Sequence, residues 1–470
     1  MNKEDICFMS ACNMVDAIRN QELTSEEITE TIIERIEKIN PIINAYCTPT
    51  FDLAREMAEA ADKRVRKGEK IGLLNGIPTS IKDLNETGGI RTTFGCIIFE
   101  NNIPDKDELV VRKLKDAGIV LLGKTNTPEF GHKAVTDNSI FGETKNPWIR
   151  NRTPGGSSGG AAAAVASGMS PLAQGSDGGG SIRIPSCLCG VYGIKPSYGR
   201  VPSLCDKVSY YRLAQNGPIV RHVEDAALML DVMAGSNDVD KYTLSNPELR
   251  YIDALKEIPK NIKIGFSLDL GYVKVLNSEI KNSIVDSVYK FEKLDWSVEE
   301  VKIKLKKAYR SFATILLAGL AYDYRKYLKK WKERMTPTFV NLIESGLNFT
   351  GMDLMHAELQ NIKFYNQFTE FFKNFDILIT PTTAVTAFEL GKMYPDKIEG
   401  KAVSPVGWMP FTYPFNLTGH PAASIPCGWS NEGLPIGMQI IGPRANDKLV
   451  LQVSKAFEEI APWQDKKPNF

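Results

Sequence analysis

Histidine is scarce in this chain: His132, His222, His356 and His420 are all there is in 470 residues. So few imidazoles make a metal centre hard to assemble, and the eight cysteines do not fill the gap, because only Leu188 separates Cys187 from Cys189. Eight cysteines are also too few for a disulfide scaffold, so reduced thiols are expected, and no cofactor or metal is expected. Charge of one sign is lacking as well. Lys and Arg number 57 against 56 Asp and Glu, a net +1 that leaves no global footprint for nucleic acid or an anionic membrane. Long apolar runs are missing: stretches such as 312–322 fall well short of the ~20 residues a spanning helix needs. Residues 1–16 mix Lys3, Glu4, Asp5 and Asp16 into the apolar positions, unlike the charged-then-apolar layout of an export signal. A cytoplasmic protein with neither nucleic-acid nor membrane partners is the expectation.

The chain has glycine in excess, and in one place. Of 37 glycines, ten fall between Thr153 and Gly190. Around that segment, helices alternate with short buried strands. Thr24-Ser25-Glu26-Glu27 has the form of a capping box, and Ile28, Ile32, Ile36 and Ile39 recur at helical steps before Pro41, where the helix is expected to stop. Residues 51–67 read as helix, 79–83 as a strand containing Lys82, 110–116 as helix and 119–122 as buried strand. Beyond residue 261 come a strand (262–266), a helix (278–293) and the alternating Val301-Lys302-Ile303-Lys304-Leu305-Lys306, which reads as an edge strand guarded by lysines. Residues 308–372 read as mostly helical and 376–379 as a buried strand. This alternation argues for α/β layering, one interleaved core with a helical insertion rather than three domains.

Three segments offer chemistry. Thr153-Pro154-Gly155-Gly156-Ser157-Ser158-Gly159-Gly160-Ala161 lacks the Lys and Ser or Thr that a phosphate-binding loop places after its last glycine. It does match the G-x-S-x-G elbow of α/β-hydrolases with Ser157 as the elbow serine; a tight packing loop with a helix-capping serine is the alternative. In Gly175-Ser176-Asp177-Gly178-Gly179-Gly180-Ser181-Ile182-Arg183, three successive glycines let backbone N–H groups converge on an anion directly before a serine, which suits an oxyanion hole. Asp177 and Arg183 read most simply as a pair that fixes this loop. Lys82 lies on a strand between Ile81 and Leu84, and burial there would lower its pKa and make it a competent general base.

Together these segments resemble the three diagnostic blocks of the amidase signature family. The likeness takes in Gly76-Ile77-Pro78 through Lys82-Asp83, the Thr153 and Ser176 blocks, Gly123-Lys124-Thr125-Asn126, Gly193 to Arg200, Gly217-Pro218-Ile219-Val220, and Phe415 to Ala422 through Gly433 to Gln439. It implies an α/β fold with a large mixed central sheet surrounded by helices. It also implies a single domain over residues 1–470, with a more variable, mostly helical insertion at about 238–375. The resemblance further implies a Ser-Ser-Lys triad. Ser181 would be the nucleophile, Ser157, which follows a cis peptide bond in the family, would relay its proton, and Lys82 would be the base. Gly178, Gly179 and Gly180, with Ser181, would hold the oxyanion. Gly178 stands where Thr is frequent in the family, a change that removes no catalytic group.

The expected activity is hydrolysis of a small-molecule carboxylic amide through an acyl-enzyme; a homodimer is allowed. One alternative is the glutaminase-type subunit of a tRNA-dependent amidotransferase, although Met409 stands where that branch usually has Asp, seven residues before Asn416. Another is a hydrolase of cyclic or linear aminohexanoate amides, which the nucleophile block also resembles. An α/β-hydrolase using a downstream histidine and a non-catalytic binding protein complete the list. Cys187 and Cys189 are expected to be buried and structural, and 325–334 a solvated helix face. Trp408, Phe411, Tyr413 and Phe415 are candidates either for an apolar acyl pocket or for core packing.

Overall fold

The computed structural model describes residues 2–203 and 213–470. Its first long helix begins as the sequence indicates: the Glu27 N–H donates to Thr24 Oγ1 at 3.0 Å while the Thr24 N–H donates to Glu27 Oε2 at 2.8 Å, opening α1 (Ser25–Ile43). Ile28, Ile32, Ile36 and Ile39 form its buried face. Pro41 does not end the helix. It lies in the last turn, where a missing N–H forfeits a single intrahelical bond, and Asn44 closes the helix in a left-handed conformation at φ 56°.

Eleven strands form one mixed sheet. In chain order they are β1 (Tyr46–Pro49), β2 (Pro78–Lys82), β3 (Val120–Thr125), β4 (Leu172–Asp177), β5 (Tyr192–Lys195) and β6 (Gln215–Val220), then β7 (Lys263–Phe266), β8 (Ser297–Glu300), β9 (Ile377–Pro381), β10 (Ala422–Trp429) and β11 (Pro435–Ile441). Across the sheet the order is β1-β3-β2-β4-β6-β5-β10-β11-β9-β7-β8. The strands β2 and β4 are parallel neighbours, with Ser80 opposite Ala173 and Ile81 opposite Gln174. Their carboxyl ends therefore emerge side by side, which carries Lys82 and the Ser176-Asp177 segment to the same edge of the sheet. Between β3 and β4, the alanine-rich α2 (Gly159–Ala166) is buried along its whole length, small side chains letting it lie close against its neighbours. The strand β4 leads through Gly178-Gly179-Gly180 into α3 (Arg183–Cys189).

The region 238–375 contributes to the sheet before it becomes helical: β7 pairs parallel with β9, and β8 pairs parallel with β7. The edge strand is Ser297–Glu300 rather than 301–306. Strand β7 ends at Phe266, whose carbonyl accepts the Val301 N–H, and past that point there is no backbone left to pair with. The alternation still shows in burial, with Leu305 inside and the lysines at 302, 304 and 306 exposed. Three helices follow, α4 (Ala308–Trp331), α5 (Pro337–Gly346) and α6 (Gly351–Phe371), with α4 packed against both others. The basic residues from Arg325 to Arg334 lie on the solvated side of α4 and just beyond it. The seven described cysteines are unbridged, and no helix among the described residues is long and apolar enough to cross a membrane.

Candidate active site

Lys82, the last residue of β2, is fully buried, and its ammonium nitrogen has few partners. Nζ donates to Ser157 Oγ at 2.7 Å and to Ser176 Oγ at 3.1 Å, with the Ser176 carbonyl at 3.4 Å. Burial pushes Lys82 down to about 7 against the opposing pull of Asp177, so near neutrality it is poised to exchange a proton. The Gly156–Ser157 peptide bond is cis. A side chain at Gly156 would strike the backbone of Val135, with a Cβ 2.7 Å from its carbonyl, so only glycine permits this approach. The partnership of Ser176 with Lys82 is not among the expectations from sequence. Its signal is a positional one: Ser176 directly precedes the aspartate on the strand parallel to that of the lysine.

Ser181 opens onto the same cavity as Ser157, Ser176, Gly178 and Gly179, and no hydrogen bond joins Ser157 Oγ to Ser181 Oγ in this structure. The loop before Ser181 is held by Asp177 and Arg183, a pair with no exposure on either side chain and an Nη2–Oδ1 distance of 2.8 Å. Burial alone would raise the Asp177 carboxyl. Arg183 and Asn416 outweigh that and hold it well below the usual carboxylate range. The carboxylate accepts N–H groups from Gly180 at 2.7 Å and Ile182 at 3.2 Å. Arg183 in turn donates to Gln439 Oε1, Asn416 Oδ1 and the Thr412 carbonyl. Of the glycines expected to face an oxyanion, Gly178 and Gly179 line the cavity. Gly180 is buried and its N–H is committed to Asp177. Among the described residues the N–H groups of Gly178, Gly179 and Ser181 make no hydrogen bond, so these three are the available donors.

The rest of the cavity is apolar. Phe312, Leu316 and Leu320 from one face of α4 stand opposite Leu84, Ile184 and Met409. Trp408, Phe411, Tyr413 and Phe415 do not line it. They are buried in the core beneath α4 and α6, and the segment presents Met409 instead. His132 also borders the cavity, but both ring nitrogens are engaged, Nδ1 with the Glu129 carbonyl and Nε2 with Thr338 Oγ1 at 2.9 Å, and burial pushes the imidazole down to about 3. The described partner of Ser157 is thus a lysine and no histidine. Lys133 at the cavity is paired with Asp137 at 2.6 Å. Cys187 and Cys189 are buried outside the cavity, and burial pushes the Cys187 thiol up to about 11 and that of Cys189 well above its usual range.

The chain matches known proteins along its length. The model of the family described as Amidase matches residues 27–451. The acylamidase of Rhodococcus erythropolis is 37% identical, the alignment covering 100% of this chain and 98% of that protein. A glutamyl-tRNA(Gln) amidotransferase subunit from a Sulfurihydrogenibium species is 36% identical over 97% of each chain. Among solved structures, a bacterial aryl acylamidase of the amidase signature enzymes superposes with a TM-score of 0.91 at 32% identity, covering 97% of both chains.

Proposed function

The chain belongs to the amidase signature family and is an amidohydrolase, and we propose that it hydrolyses neutral acyl amides with an apolar acyl group through an ester on Ser181. The observation that carries this reading is the buried Lys82 bonded to Ser157 within the cavity where Ser181 meets unpaired N–H donors. Substrate binding brings Ser181 Oγ within reach of Ser157. Ser181 attacks the amide carbonyl, its proton passes to Ser157 Oγ, and the Ser157 proton passes to the neutral Lys82 amine. The oxyanion forms against the N–H groups of Gly178, Gly179 and Ser181. Collapse breaks the C–N bond as the proton returns through Ser157 to the leaving amine. Water then adds to the acyl-enzyme under the same base and releases the acid.

The cavity lining supports the substrate class. A glutamine substrate carries an α-ammonium and a carboxylate, and burying them without charged partners is costly. Here Met409 occupies the position seven residues before Asn416, and Lys133 is already paired. The test is a panel of aliphatic, aryl and ω-amino amides, with glutamine included, read by mass spectrometry. Release of amine from N-acyl anilides or aliphatic amides is expected, with a loss of about 10⁴-fold or more in Ser181→Ala. Full activity in Ser181→Ala sinks the acyl-enzyme reading. Ammonia release from glutamine alone among the panel, dependent on added partner proteins, moves the assignment to the amidotransferase branch.

A further inference from the structure

An oxyanion hole made of glycine-flanked peptides has a physical problem. Glycine permits a peptide to rotate at little steric cost, so donors aimed at a substrate need something to hold their planes. The hydrogen bonds around Ser181 show how three of these planes are held. The C=O and N–H of one trans peptide point in opposite directions, so a bond on each edge fixes its orientation. The Ser181–Ile182 peptide is held on both edges, by the Ser158 N–H donating to the Ser181 carbonyl at 3.1 Å and by the Ile182 N–H donating to Asp177 Oδ2 at 3.2 Å. The Gly180 carbonyl accepts from the Ile184 N–H at 2.7 Å, which leaves the Ser181 N–H of that same peptide pointing away, unpaired.

The Gly179–Gly180 peptide lies one step earlier. Its N–H is held by Asp177 Oδ1 at 2.7 Å, and its C=O accepts from Thr412 Oγ1, also at 2.7 Å. Thr412 lies more than two hundred residues away in sequence. It is fully buried, and its own carbonyl is fixed by Arg183 Nη1 at 2.8 Å. Gly180 sits at φ +130°, and a methyl group there would run into the Thr412 side chain, so hydroxyl and glycine are fitted to one another.

Resting on the amidase reading above, we infer that Thr412 is a positioning residue: with Asp177 it clamps both edges of the Gly179–Gly180 peptide and so aims the flanking N–H groups of Gly179 and Ser181 at the substrate carbonyl. Thr412 does not line the cavity; it acts through the loop. Loss of its hydroxyl therefore weakens the transition state, where the oxygen is charged, more than the ground state.

Thr412→Val removes the donor while keeping the shape, and Thr412→Ser keeps the donor. Measured on a chromogenic N-acyl nitroanilide, the valine variant is expected to lose roughly 10- to 100-fold in kcat with KM within about twofold, and the serine variant to recover most of the loss. Binding of the trifluoromethyl ketone of the same acyl chain, whose adduct with Ser181 carries an oxyanion, should weaken in parallel with kcat. Binding of the primary alcohol of the same chain, whose oxygen carries no charge, should not change. Thr412→Ala, which adds no atom beside Gly180, decides the matter if the valine variant does not fold. Wild-type kcat in the folded valine or alanine variant, a loss confined to KM, or a serine variant no better than valine overturns the clamp. Absence of turnover by the wild-type chain overturns the amidase reading and the clamp with it.

Discussion

The two sides of the cavity are built from opposite materials. On one side Lys82, Ser157, Ser176, Asp177, Arg183 and Asn416 form a polar cluster in which the charged groups are buried and almost every donor has a named acceptor. Facing it, α4 offers Phe312, Leu316 and Leu320 at four-residue steps, while Tyr322 on the same helix is 62% exposed. A buried polar group is expensive unless each bond is satisfied, so the first side tolerates few arrangements. An apolar wall can change its residues at modest cost so long as volume is kept. On the proposed function, reaction type belongs to the first side and choice of acyl group to the second.

The sharpest test of that division is Lys82→Met, which keeps length and removes the proposed base. A loss of about 10² to 10⁴ in kcat/KM is expected for every substrate alike. The pH profile carries the diagnosis. In the proposed mechanism the base acts as the free amine, and burial brings the Lys82 amine to about 7, so wild-type kcat/KM should fall as the pH drops through that value and level off above it. The methionine variant should lack this limb. A wild-type limb near the ordinary lysine value, about 10.4, would mean that burial does not tune the base, and the comparison would fail at its first side.

Next in size is Arg183→Met, which leaves the Asp177 carboxylate buried without its cation. Breaking a buried pair from one side costs about 3–5 kcal/mol, read by chemical denaturation. A cost under about 1 kcal/mol would show the network to be loosely held. In the wild type, Asp177 ionises more readily folded than unfolded. Its contribution is therefore complete above the unfolded value of about 3.9 and is lost as the pH falls below it.

Apart from the bond of Ser176 to Lys82, the polar side was legible in the sequence because its chemistry sits in short local blocks. The lysine at the end of a strand, two serines among glycines and an aspartate six residues before an arginine are each visible without tertiary information. What could not be read locally was whatever depends on how distant segments meet. The Thr412 hydroxyl reaches the loop before Ser181 from beyond the helical region, and Gly180 turns its N–H into the Asp177 network rather than the cavity. At the sheet edge, strand pairing runs only as far as β7 extends, so the alternation at 301–306 falls past the last strand. Among the aromatic residues at 408–415, hydrophobicity is the same whether a ring fills a core or lines a pocket. Packing alone gives the core to Trp408, Phe411 and Tyr413 and the cavity to Met409.

The apolar wall gives the smallest and most selective effect. Phe312 stacks on Tyr413 at 5.2 Å between ring centroids, and a side chain on Gly179 would lie 2.7 Å from its ring tip, so this ring sets the clearance over the glycine loop. Phe312→Leu keeps an apolar contact with Tyr413 and shortens the reach. It should shift the ratio of kcat/KM between bulky and small acyl anilides by about tenfold in favour of the bulky ones, some 1–2 kcal/mol of discrimination. The pH limb set by Lys82 should stay where it is. Tyr322→Ala, on the outer face of the same helix, should change neither quantity. If Phe312→Leu instead lowered kcat equally for all acyl groups, the ring would be acting through the loop it covers, and the wall would belong to the reaction machinery as much as the network opposite.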